Sequence, residues 1–207
     1  MRRMAGASDV YVTRRPLGRL GGWPIVGWSA SIIALISAVT IASATSGEEA
    51  AHRLLRATAL TSLLFFSAAF SASSLQRLWP RPATRWMLDN RRYLGVSFAV
   101  SHAVHLSAIL WLAAFAADRF KVDGTTVVAG GLGFVFVAAM AATSFDRTAA
   151  WLGPRPWKAL HTIGGYYLWF VFLLTYLGNV ARSAWLAVPV VLLFAVLALR
   201  ITARMRR

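Results

Sequence analysis

Six apolar stretches, each close to the length of a membrane crossing, leave this chain few folds to choose from. They run over residues 24–44, 54–75, 93–117, 125–144, 157–178 and 184–201. A helix needs about 20 residues to cross a hydrocarbon core about 30 Å thick. No water is available there to satisfy a backbone N–H or C=O, so each stretch must close its own hydrogen bonds as a helix. The connections carry the breakers: Pro80, Pro82, Pro154 and Pro156, together with Gly47 and the Asp123-Gly124 pair. Pro189 falls inside the sixth stretch and predicts a kink there. The pattern predicts an all-α polytopic membrane protein, a six-helix bundle over residues 24–201. Short basic tails flank it at residues 1–23 and 202–207.

Charge orients the bundle. Only 14% of residues are charged and 58% are hydrophobic, so the net charge of +15 does not describe a soluble nucleic-acid binder, and no nucleic-acid partner is expected. With six spans, 17 of the 22 Lys and Arg fall on the side of the two termini. They are Arg2, Arg3, Arg14, Arg15 and Arg19 in the N-terminal tail, and Arg77, Arg81, Arg85, Arg91 and Arg92 in the second connection. Arg147, Arg155 and Lys158 follow in the fourth, and Arg200, Arg204, Arg206 and Arg207 at the C-terminal end. Five remain for the other side: Arg53, Arg56, Arg119, Lys121 and Arg182. By the positive-inside rule both termini are cytoplasmic, in a membrane of the bacterial inner type. Arg14-Arg15 precedes no short apolar core, and Ala42-Ser43-Ala44 follows a span-length one. An uncleaved first helix is therefore expected rather than a removed signal.

Little reactive chemistry is left. The chain has no cysteine, which excludes disulfides, thiolate metal sites and covalently attached haem. No Asp, Glu, Lys or Arg lies near the middle of a span, which argues against a carboxylate relay of the kind an ion-coupled transporter needs. Four histidines remain. His102 and His105 are three residues apart and share one face of the third span. His161 lies one turn into the fifth span, and His52 sits at the outer mouth of the second beside Glu48 and Glu49, as a solvated residue. Imidazoles on facing helices can hold a haem iron. They can equally hydrogen-bond a neighbouring helix, worth about 0.6–1.7 kcal/mol. Spacing alone leaves both uses open. Gly130-Gly131-Leu132-Gly133 and Gly164-Gly165 serve either close packing or room for a flat macrocycle. Most tryptophans fall at span ends as an aromatic belt, whereas Trp111 and Trp169 sit deeper. Arg91 and Arg92 suit either topology or the propionates of a haem.

The segment from Asn90 to His105, with Arg91-Arg92, Leu94-Gly95 and a histidine thirteen residues after Arg92, resembles the ferric-reductase-like transmembrane family. It is most similar to that family's MsrQ-type branch of haem-binding membrane subunits. A second run is similar to the same branch: Thr143-Ser144, Leu152-Gly153, Trp157, Leu160-His161 and Tyr166, with one extra residue before Trp157. The resemblance covers residues 54–178. It implies that His105 and His161 ligate the iron of a b-type haem and that the chain transfers electrons. A further histidine of the family pattern, thirteen residues beyond His161, is replaced by Leu174, so one haem is expected rather than two.

Depth complicates the pairing. His105 lies about twelve residues into its span and His161 about five, an offset of about 10 Å that His102 would reduce to about 6 Å. Three arrangements stay open: His105 with His161, His102 with His161, or a haem-free bundle. No dinucleotide fingerprint is present, and only about six residues follow the last span, so reduction by a membrane quinol or a separate flavoprotein is expected. Electrons would pass to a redox partner or larger membrane complex on the outer side, with a quinone as a possible second cofactor. The competing expectation is a structural or assembly subunit that keeps the scaffold without haem. A small transporter is disfavoured by the absence of midplane charge and of paired broken helices.

Overall fold

The computed structural model describes residues 21–115 and 123–206, which form eight α-helices and no strand. Six are long and apolar enough to cross a membrane: α1 (Trp23–Ala42), α2 (Gly47–Leu78), α4 (Arg91–Phe115), α5 (Gly124–Ala142), α7 (Pro154–Leu177) and α8 (Ala187–Met205). These are the six expected spans. Two short helices, α3 (Pro82–Asp89) and α6 (Asp146–Leu152), occupy connections expected to be loops. The breakers there are helix ends. Pro82 starts α3, where a missing N–H costs no bond. Gly153, at φ 82°, closes α6 and opens α7 ahead of Pro154. Arg2, Arg3, Arg14, Arg15, Arg19, Arg119, Lys121 and Arg207 lie outside the described residues.

Two boundaries differ from expectation for local reasons. α2 begins at Gly47, seven residues before the apolar stretch, because Ser46 accepts the Glu49 N–H (3.2 Å). Glu48 and Glu49 also place negative charge in the first turn, where the helix dipole favours it. His52 is consequently an exposed residue of this helix rather than of a loop. Pro189 is the third residue of α8, in the turn whose N–H groups have no helical acceptor. The kink expected from it therefore has no cause, and the irregularity instead precedes it as two 3₁₀ turns, Val180–Arg182 and Ala184–Leu186.

α2 is the hub, packing on α1, α3, α4 and α8. Its Phe66 ring lies 5.6 Å from Phe98 of α4 and 5.3 Å from Phe172 of α7, tying three spans together at one height. α2 and α4 run antiparallel and approach through small hydroxyl residues. Thr58, Ser62, Ser97 and Ser101 are all fully buried. Ser101 Oγ lies 2.7 Å from Thr61 Oγ1 and accepts from Ser62 (3.0 Å), the kind of interhelical bond that lipid cannot replace.

Asn90 joins α3 to α4 with no exposed surface. Its Oδ1 accepts the Gly22 N–H (2.9 Å), and its Nδ2 donates to the Trp86 carbonyl (2.9 Å). That bond fixes the start of α1, where Trp23 packs against Tyr93 and Phe145. Asn90→Ala strands a buried N–H and should cost about 1–3 kcal/mol, read as a lowered thermal midpoint of the detergent-solubilised protein. An unchanged midpoint would show that Asn90 does not anchor the first span.

Candidate functional site

His102 and His105 share a face of α4 as expected, their rings stacked with centroids 5.3 Å apart. They address different neighbours. His105 Nδ1 lies 3.0 Å from Thr58 Oγ1, whose own hydrogen is directed to the Leu54 carbonyl at 2.7 Å. Thr58 is therefore the acceptor, and this bond fastens α4 to α2. His102 sits among Phe98, Phe134 and Phe172, its ring 4.7 Å from Phe134 and 6.0 Å from Phe172, with Nδ1 buried and unpartnered.

His161 belongs to a separate group. Its Nε2 is 3.2 Å from Thr143 Oγ1, its ring stacks on Trp157 at 4.2 Å, and Trp157 Nε1 donates to the Thr143 carbonyl (2.9 Å). Thr143, Trp157 and His161, scattered over nineteen positions of sequence, thus close on one another where α5 ends and α7 begins.

The two groups are far apart in depth. From Phe134, against His102, to Thr143, against His161, is nine residues of α5, about 13 Å of rise. From His161 to Phe172, which also touches His102, is eleven residues of α7, about 16 Å. His105 lies a further turn away. Two axial ligands of one iron must face each other at one height. The structure brings neither His102 nor His105 opposite His161, and the offset exceeds what helix numbering alone suggested.

What His161 does face is a cavity of about 660 Å³, within the usual range for ligand sites. It opens between α2, α4, α5, α7 and α8, at the end where α2 finishes and α4 and α7 begin. Phe66, Phe70, Phe98 and Val137 give it an apolar floor. Arg77, Arg91, Arg92, Lys158, Arg200 and Arg204 line it against one acid, Asp89, which Arg85 already pairs at 3.1 Å. Neither His102 nor His105 is part of its wall.

The arginines divide in a way the sequence did not reveal. Arg92 is tied to Asp146 at 2.6 Å. Arg91 donates instead to the Ala69 carbonyl (3.0 Å). Arg200, counted from sequence only as an orienting charge, donates to the Phe70 carbonyl (2.7 Å) and to Tyr166 Oη (3.3 Å), and lies over the Phe70 ring at 4.1 Å. No adjacent signal marked it, because its neighbours here are 34 and 130 positions away in the chain.

The glycines also divide. A Cβ on Gly164 would meet Met140 Sδ at 2.6 Å and Phe136 at 3.0 Å, so this residue lets α7 approach α5. Gly165 lines the cavity beside Phe70. Gly133 packs on Leu168, while Gly130 and Gly131 meet nothing within 4 Å. Trp169 bonds the Leu193 carbonyl (2.9 Å), and the exposed Trp23, Trp28, Trp79, Trp86, Trp151 and Trp185 suit a belt.

No protein-family model, curated protein or solved structure matches this chain.

If the His105–Thr58 bond is an interhelical fastening, His105→Leu and Thr58→Val should each cost about 0.6–1.7 kcal/mol in unfolding titrations. The double variant should be little worse than either single one, since both remove the same bond. Fully additive losses would show that the pair is not coupled.

Proposed function

We propose that this protein is an integral-membrane electron-transfer subunit that would hold one b-type haem in the basic cavity, with His161 as the imidazole that holds its iron. One observation carries the proposal: a single imidazole and carboxylate-free guanidiniums open together on an apolar-floored cavity between the third and fifth spans. Haem is an apolar disc with two carboxylates, and these residues suit both parts of it. A second axial imidazole does not fit, because His102 and His105 lie at another depth. The two sequence runs similar to the ferric-reductase-like family add independent support, since Thr143, Trp157 and His161 of the second run converge here.

Bound there, a haem supplies reversible one-electron chemistry at its iron. The chain holds the ligand and tunes its surroundings. Trp157 and Thr143 fix the His161 ring, Phe66, Phe70 and Phe98 keep the floor dry, and the arginines balance negative charge. A membrane quinol or a separate flavoprotein is the electron source that suits this site, and a partner protein or larger complex the acceptor. The 17-to-5 partition of Lys and Arg supports cytoplasmic termini in an inner membrane, with the cavity on the cytoplasmic side.

A haem-free structural subunit is the second proposal, favoured by the depth offset that keeps His102 and His105 from standing opposite His161. An absorbance spectrum separates the two. Protein produced with ample haem should show a Soret band that His161→Ala abolishes, while His105→Ala and His102→Phe retain it. No band in the wild type leaves the haem-free subunit.

The absence of cysteine makes the orientation directly measurable. A membrane-impermeant maleimide should label Thr45→Cys in intact spheroplasts and Arg81→Cys only after permeabilisation. The reverse pattern would invert the bundle and put the cavity on the outer side.

A further inference from the structure

We infer that Arg91 and Arg200 form a two-point clamp for paired anionic groups carried on an apolar body. The two residues are 109 positions apart in the chain, one in the first turn of α4 and one in α8. Both line the same cavity, and they donate to the carbonyls of consecutive α2 residues, Ala69 and Phe70. A carbonyl takes one of the five donors that a guanidinium carries. Among the described residues, neither arginine has a carboxylate within 4.0 Å, since the ion pairs join Arg53 to Glu49, Arg85 to Asp89 and Arg92 to Asp146.

Two like charges sharing one recess with an apolar floor are costly unless an anion joins them. The arrangement is also held in advance. Arg200 is oriented by the Phe70 ring beneath it, the Tyr166 ring 5.0 Å away and the bond to Tyr166 Oη. Arg92, one residue along, already has Asp146 and stands outside the clamp. The floor of Phe66, Phe70 and Phe98 takes the apolar body, so a free inorganic anion would leave most of the cavity unused.

The clamp deepens the proposed haem site, and for the haem as occupant it rests on that proposal. The same chemistry also exists in the headgroup of an anionic phospholipid. Iron-free protoporphyrin IX separates these sources, because it keeps both carboxylates and needs no axial imidazole. Its fluorescence would be titrated with the full-length protein in neutral detergent, beside its dimethyl ester.

The diacid should bind at least about tenfold more tightly than the diester. Arg91→Gln and Arg200→Gln should each weaken diacid binding by about tenfold, with Arg200→Lys recovering part of the loss. Arg53→Gln, whose side chain pairs with Glu49 at the far end of α2 and outside the cavity wall, should leave it within about twofold. Displacement of the porphyrin by phosphatidylglycerol micelles but not phosphatidylcholine would keep the clamp and assign it to lipid. Equal binding of diacid and diester by the wild type would overturn the clamp without any variant having to fold. So would unchanged affinity in both Gln variants, or no binding of either diacid or phosphatidylglycerol. Failure of the haem proposal reads differently: no Soret band, with arginine-dependent binding of the diacid intact.

Discussion

In hydrocarbon, the backbone N–H and C=O groups that water would otherwise satisfy must find their partners within the protein, and most of this structure follows from that condition. It makes the six spans helical. It also bears on how most of the buried polar side chains are used, the unpartnered Ser67, Ser97, His102 and Tyr176 apart. Thr58, Thr61, Ser62 and Ser101 bond to one another or to carbonyls between α2 and α4, His105 joins the same seam, and Arg91 and Arg200 reach the α2 backbone. Each is a local answer to the same absence of water.

α2 receives most of these answers, and it also walls the cavity. The hydroxyl seam with α4 lies along the half where His105 is bonded. Towards the other end the rings of Phe66, Phe70 and Phe98 stand among buried small residues such as Ser67, Ser71 and Ser97, and the cavity opens there with α7 and α8 completing its walls. His105 is thus held at the seam and His161 at the cavity.

The span count was legible because hydropathy over about 20 residues is a strong signal that needs no tertiary information. The start of α2 was less so, since Ser46, Glu48 and Glu49 extend the helix by capping and charge rather than by hydropathy. Pro189 was misread because its effect depends on position within a helix, and one turn decided between a kink and a harmless start. His161 and Arg91, which line the cavity, were both visible in the sequence as candidate residues. Arg200 was not visible, because its role exists only once α8 lies against α2 and α7. The pairing of His105 with Thr58 crosses 47 positions and likewise has no local signature.

The separation of the imidazoles is the central physical result, and the electronic state of a bound iron reports on it directly. The measurement is electron paramagnetic resonance of the oxidised, haem-loaded protein. A haem with His161 as its single imidazole predicts an axial high-spin ferric signal. A rhombic low-spin signal from two imidazoles would contradict it, since His102 or His105 would then have to stand opposite His161, across the 13–16 Å of helix rise that now divides them (about that much at 1.5 Å per residue).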